Sequence, residues 1–238
     1  MRLLVTRPQP ECRRTADRIR AKGYRADEAP MLDFCPKPPE KFDLRNVSAL
    51  AITSRRAVDV IAKHVQVPEF RPFPVFTVGD ATASACRNAG FGQVFSAGGD
   101  VTSLAQLIVS KQMQIGAGTM LYPAAQDRSG DLEGALEKAG IDCRMVPVYR
   151  MKEAADVPRE VEEKLRAGSY DGILIYSRRS AAALLRLLKR RGLDHNFSNL
   201  RIYAISQQAA EPLCDYMKVE VAEDPCENAL LDLVLGEC

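Results

Sequence analysis

Only two histidines, His64 and His195, occur in the 238 residues, and neither lies near a cluster of Cys, Asp or Glu. A metal centre or a histidine triad is therefore not indicated, and both read as surface or structural residues. The seven cysteines (Cys12, Cys35, Cys86, Cys143, Cys214, Cys226 and Cys238) include no Cys-x-x-Cys pair. Their odd number argues against a disulfide framework and suits free thiols in a reducing cytosol. No Gly-x-Gly-x-x-Gly follows the first apolar run and no Gly-x-x-x-x-Gly-Lys-Ser/Thr occurs, so neither dinucleotides nor nucleoside triphosphates are signalled. No apolar run approaches the roughly 18 residues of a membrane span. Leu3-Leu4-Val5 ahead of Thr6-Arg7-Pro8 is too short for a signal peptide, so a cytoplasmic protein is expected. A single-signed charge is missing too. Against 33 Lys and Arg stand 31 Asp and Glu, a formal net of +2, too small to imply nucleic acid or membrane as the main partner.

What is present is a repeat. Ala51-Ile52-Thr53-Ser54-Arg55-Arg56-Ala57 recurs as Leu174-Ile175-Tyr176-Ser177-Arg178-Arg179-Ser180, an apolar run that breaks at a serine and two arginines. Phe76-Thr77-Val78-Gly79-Asp80-Ala81 answers to Tyr203-Ala204-Ile205-Ser206-Gln207-Gln208, and the stretch Gly23 to Pro30 to the stretch Gly140 to Pro147. The offset grows along the chain, as loop-length changes between duplicated α/β units would produce.

Short apolar runs read as buried strands at Leu3 to Thr6, Tyr24 to Met31, Ser48 to Thr53, Pro72 to Val78 and Val94 to Ser96. In the second copy they lie at Met120 to Pro123, Arg144 to Arg150, Gly172 to Tyr176, Arg201 to Ile205 and Lys218 to Ala222. Helical stripes alternate with them. One carries Cys12, Ala16 and Ile19 and stops at Gly23; a second runs from Arg55 to Val65; a third closes at Gly90. A fourth, with Leu104 and Ile108, has Thr102 or Ser103 as its candidate cap. Further helices carry Leu132 and Leu136, Ala181 to Arg190, the stretch from Ala209, and Leu230 to Leu235. Three prolines between Asp33 and Glu40 predict an irregular linker and a domain boundary, with a second crossing between Met151 and Pro158. The alternation predicts two doubly wound, mostly parallel sheets.

In such sheets ligands bind beyond the carboxyl ends of the strands. There the chain offers Thr6-Arg7, Ser54-Arg55-Arg56, Gly79-Asp80-Ala81-Thr82, Gly98-Gly99, Tyr122-Pro123, Ser177-Arg178-Arg179 and Ser206-Gln207-Gln208. Hydroxyls, amides, small residues and arginines suit carboxylate or phosphate. The serines can equally be helix caps with solvent-facing arginines behind them. The basic run Lys189-Arg190-Arg191 reads as a solvated helix end. Tyr149, late in a strand beside the second crossing, is either a core tyrosine or a phenol facing a ligand.

In the order and spacing of Leu4-Val5-Thr6-Arg7-Pro8, Ile52-Thr53-Ser54-Arg55-Arg56-Ala57, Phe76 to Ala83, Pro147-Val148-Tyr149-Arg150, Ile175 to Ser180 and Ala204-Ile205-Ser206-Gln207, the chain resembles the uroporphyrinogen-III synthases over essentially its full length. The resemblance implies two flavodoxin-like lobes joined by a two-stranded connection, residues 1–34 with 153–238 in one and 35–152 in the other, with the active-site cleft between them. It implies cyclisation of the linear tetrapyrrole hydroxymethylbilane to uroporphyrinogen III, with loss of water and inversion of ring D. Such chemistry needs a proton donor near the leaving hydroxyl and no metal or redox cofactor, since the electron-rich pyrrole expels the group itself. By the same resemblance Tyr149 is the donor. Thr6, Arg7, Ser54, Arg55, Thr82, Ser177, Arg178, Ser206 and Gln207 are expected to hold substrate carboxylates, at about 1.5–3 kcal/mol for a hydrogen bond to a charged group. Where many members carry Gly-Pro-Thr-Thr, this chain has Ser206-Gln207-Gln208-Ala209, so hydroxyl contacts are not carried beyond Ser206. A monomer with a hinge at the proline-rich connection is expected. Two other readings stay open: a sugar-phosphate or nucleotide enzyme, and a two-lobed protein that closes on an anion without chemistry.

Overall fold

The computed structural model describes residues 1–128, 130–193 and 200–236. Its strands are β1 (Arg2–Val5), β2 (Arg25–Glu28), β3 (Leu32–Pro36), β4 (Val47–Ile52), β5 (Val75–Thr77), β6 (Val94–Ser96), β7 (Thr119–Ala125), β8 (Cys143–Glu153), β9 (Gly172–Ile175), β10 (Arg201–Ala204) and β11 (Lys218–Val221). Its helices are α1 (Glu11–Ala21), α2 (Arg55–Ile61), α3 (Val67–Phe70), α4 (Asp80–Asn88), α5 (Val101–Ser110), α6 (Gln112–Ile115), α7 (Leu132–Glu137), α8 (Arg159–Arg166), α9 (Arg178–Arg190), α10 (Gln207–Ala210) and α11 (Glu227–Leu235).

The chain divides into two compact units, Met1–Phe34 with Lys152–Cys238, and Cys35–Met151. The first holds a five-stranded sheet in the order β11-β10-β9-β1-β2, parallel throughout. Read from β2, this is the flavodoxin order 2-1-3-4-5. The second holds β3-β8-β7-β4-β5-β6. Setting aside β3 at its edge, the same order appears once β7 and β8 are counted as positions one and two. Each sheet therefore takes its first two strands from one copy of the repeat and its last three from the other.

Both sheets are covered on two sides, which is why their strands read as unbroken apolar runs. Leu3, Leu4 and Val5 of β1 and Ile173, Leu174 and Ile175 of β9 have no exposed surface. Against them α1 presents Cys12, Thr15, Ala16 and Ile19, the i, i+3, i+4, i+7 stripe of a one-sided helix. Gly23, at φ +83°, lets the chain turn out of α1. Gly172 is a close-approach glycine: a Cβ there would lie 2.5 Å from Cε2 of Tyr203 on the neighbouring strand. In the second unit Phe76, Leu104, Ile108, Met120, Tyr122 and Leu136 form the centre of the core.

Several local expectations need correction. The proline-rich stretch opens as strand β3, which includes Pro36; at the edge of a sheet a proline deprives no neighbour of a ladder hydrogen bond. The helix expected to reach Val65 stops at Ile61. Beyond it the amides of Lys63 and His64 bond three residues back, Pro68 prevents continuation, and Val65 is exposed. The cap of α5 is neither Thr102 nor Ser103 but Asp100, whose carboxylate accepts from the Ser103 amide at 2.9 Å. Helix α8 is absent from the sequence expectation although it is one-sided, with only Val161 and Leu165 of its eight residues buried. His64 is structural: its Nδ1 accepts from the Gln66 amide, so Nε2 carries the proton donated to the Pro39 carbonyl, and its ring stands edge-on to Phe42. His195 lies outside the described residues.

Candidate functional site

In the second unit the candidate side chains Ser54, Arg55 and Tyr149 lie at the end of β4 and along β8. The β7–β8 register shifts between Ala124 and Ala125, so that Ala124 pairs with Pro147 but Ala125 with Tyr149. This bulge breaks the alternation of the strand, and Val148 and Tyr149 are both buried. Tyr149, 7% exposed, directs its hydroxyl at Ser54 Oγ, 3.0 Å away. Ser54 also caps α2, accepting from the Arg56 amide at 3.1 Å. Arg55 is exposed on the first turn, while Arg56 reaches back toward Met151 Sδ at 3.6 Å. Thr82 lies buried in the first turn of α4, its amide bonded to the Gly79 carbonyl.

A second hydroxyl pair joins Tyr122, one of the strand-end residues read from the sequence, to Thr53, a pairing the sequence did not indicate. Tyr122 Oη lies 3.2 Å from Thr53 Oγ1, and burial raises its pKa. The Arg128 guanidinium lies 5.7 Å from the centre of the Tyr122 ring and pairs with Glu133 at 2.5 Å. Thr53 and Ser54 are consecutive, so one strand end supplies both hydroxyl partners.

The first unit places its candidates differently. Thr6 has no exposed surface, and its hydroxyl donates to the Leu174 carbonyl at 2.6 Å. It ties β1 to β9. Arg7 lies over the Tyr176 ring, 4.3 Å from its centre, and its Nη1 donates to Thr15 at 3.3 Å and to Glu227 at 3.1 Å. Glu227 also accepts a very short hydrogen bond from the Thr15 hydroxyl and pairs with Arg18 at 3.1 Å. Among the described residues the buried Tyr176 hydroxyl finds no well-formed hydrogen bond. Burial foremost, then the Glu227 charge, raise its pKa to about 12, while nearby Thr15 and Arg7 act the other way. Ser177 caps α9 by accepting from the Ser180 amide at 3.1 Å, and Ser206 caps α10 by accepting from Ala209 at 3.2 Å. Arg178 is exposed and paired with Glu211 at 2.9 Å, and Gln207 is exposed on the opening turn of α10.

The structure thus joins Tyr149 with Ser54 and turns Ser177 and Ser206 into caps. It links Arg7 to Thr15, Tyr176 and Glu227, which the sequence reading passed over. A faint signal existed, since Tyr122 and Tyr176 sit in or after apolar runs that end at the strand rims. Glu133 and Glu227 were masked, because an acid in a helix's first turn is explained by the helix dipole alone. Among the described residues no group of three or more His, Cys, Asp and Glu stands in reach of one metal ion, and no helix is long and apolar enough to cross a membrane.

Comparison with known proteins completes the description. No curated protein sequence matches the chain significantly. Uroporphyrinogen-III synthetase from Helicobacter pylori 26695 shares the fold, with 20% identity, 99% of each chain covered and a TM-score of 0.67. So does a mutant uroporphyrinogen III synthase from the extremely thermophilic bacterium Thermus thermophilus, with 16% identity, 99% of this chain and 98% of that one covered, and a TM-score of 0.62. A family model described as uroporphyrinogen-III synthase HemD matches residues 13–232. The chain belongs to the uroporphyrinogen-III synthase family, the lyases that cyclise hydroxymethylbilane to uroporphyrinogen III.

Proposed function

We propose that Tyr149 donates the proton that lets the hydroxyl of hydroxymethylbilane leave as water. The observation that carries this reading is its 3.0 Å hydrogen bond to Ser54 at the carboxyl end of the sheet. A phenol is protonated at neutral pH and can donate, and hydroxyl rotors turn freely. When Ser54 reverses its own O–H toward Tyr149, the phenol proton is directed to the substrate and the phenolate left behind is hydrogen-bonded. The pyrrole nitrogen supplies the electron pair that expels the hydroxyl, giving an azafulvenium cation that balances the phenolate, so no cofactor enters this step. Ring A then attacks the substituted carbon of ring D, and the resulting spiro intermediate fragments and recloses. Which bond forms is a matter of substrate conformation.

The carboxylates of the substrate are the handles for that conformation. Arg7, Ser54, Arg55, Thr82, Ser177, Arg178, Ser206 and Gln207 hold them in this reading, while Thr6 acts by locking β1 to β9. The two units serve as the two lobes of the enzyme in this reading. We assign a monomer in the cytoplasm that binds no nucleic acid. Support comes from the near-balanced charge and from six described cysteines that are all free thiols. Incubation with hydroxymethylbilane and separation of the products tests the reading. Type III isomer in excess is expected, and formation of only the spontaneous type I isomer would refute it.

A further inference from the structure

Arg7 is a long side chain on the loop after β1, yet it is held from three sides, twice by segments distant in sequence. Glu227 on the first turn of α11 accepts from its Nη1 at 3.1 Å, Thr15 on α1 lies 3.3 Å from the same nitrogen, and the Tyr176 ring lies beneath the guanidinium. Glu227 is the hub, binding Arg7, Thr15 and Arg18 at once. Nη1 makes both of these Arg7 contacts, so the Nε–Nη2 edge, one of the two that can grip a carboxylate in bidentate fashion, carries neither. The Arg7 side chain keeps 21% of its surface exposed. In the second unit Arg128, Tyr122 and Glu133 combine the same three residue types from positions that the repeat does not relate.

We infer that Glu227 is a positioning residue: it fixes Arg7 over Tyr176 so that the Nε–Nη2 edge of the guanidinium is set for a substrate carboxylate. This rests on the reading of Arg7 as a carboxylate-holding residue. Two other roles for Glu227 predict different results. As a helix-dipole partner for α11 it affects stability and leaves substrate affinity alone. As a competitor for Arg7 it weakens binding, and its removal tightens it. Positioning predicts the opposite sign even though Glu227→Gln adds net positive charge opposite an anionic substrate, because a rotamer-rich side chain then has to be ordered on binding.

The test is steady-state kinetics with hydroxymethylbilane on the full chain, for Glu227→Gln, Glu227→Asp, Thr15→Val, Arg7→Ala and the Arg7→Ala/Glu227→Gln pair, with Tm measured for each. Glu227→Gln is expected to raise KM about three- to tenfold, what ordering one such side chain is worth, with kcat within about twofold. Glu227→Asp recovers most of the loss, Thr15→Val raises KM less, and Glu227→Gln adds nothing once Arg7 is alanine. An unchanged or lower KM in Glu227→Gln, or an equal effect in the Arg7→Ala background, overturns the inference. If Glu227→Gln does not fold, Thr15→Val with and without Arg7 decides by the same criterion. Wild-type KM in Arg7→Ala would instead refute the role given to Arg7 itself.

Discussion

Replacing Tyr149 by phenylalanine removes one oxygen and leaves the ring in place, so its consequences separate chemistry from packing. In the folded protein that oxygen makes the 3.0 Å bond to Ser54, while Ser54 keeps its contact with the Arg56 amide and the cap of α2 survives. The stability loss is that of one neutral hydrogen bond, about 0.5–1.5 kcal/mol, or a fall in Tm of roughly 1–6 °C for a chain of this size. The rate loss is larger. A positioned general acid contributes about 10²–10⁴-fold, and the pyrrole's own push sets this case near the lower end. A hundredfold drop in kcat, about 2.7 kcal/mol of barrier, is expected with KM within about twofold. The assay follows substrate loss and resolves type I from type III product over time. Spontaneous type I closure competes with the slowed enzyme, so its share rises. A Tyr149→Phe enzyme with kcat within about twofold of wild type would remove the phenol from its role. A hundredfold loss accompanied by a Tm collapse beyond about 10 °C would reassign it to the core.

Thr6→Val tests whether that hydroxyl is structural: loss of the bond to Leu174 O in a fully buried site costs about 1–3 kcal/mol. Tm should fall while KM for hydroxymethylbilane stays put; a raised KM at unchanged Tm would return Thr6 to the binding set. Asp27 carries the expected acid sensitivity. Partial burial works to raise its pKa, but hydrogen bonds from Lys164 and Tyr170 and the charges of Lys164 and Arg2 outweigh it and hold the pKa below the usual carboxylate value. A depressed folded pKa adds stability that is present above the unfolded value, near pH 4, and lost as pH falls through the folded one. In urea unfolding, the stability gap between wild type and Asp27→Asn should therefore narrow from pH 7 to pH 3; a constant gap would refute the linkage.

The alternation of strands and helices was legible because apolar runs, glycine stops and serine breaks act between neighbours in sequence. The Ser-Arg-Arg repeat marked two equivalent strand ends, at β4 and β9, and its serines do cap α2 and α9. Local rules failed where a neighbour in space intervened. Pro36 entered a strand because it lies at a sheet edge, whereas α8 was passed over although it is one-sided.

The sequence by itself determined the parallel α/β character of the chain, its duplication and the rims where polar residues collect, since each of these is written in periodicity and short-range hydrogen bonding. Tertiary structure alone decided which of those residues meet. The Tyr149 hydroxyl reaches Ser54 across 95 positions only because β8 bulges against β7, and Arg7 reaches Glu227 across 220 positions only because β1 and α11 pack in one unit. Contacts between such distant segments depend on sheet order and side-chain packing, and no local pattern in either segment encodes its partner.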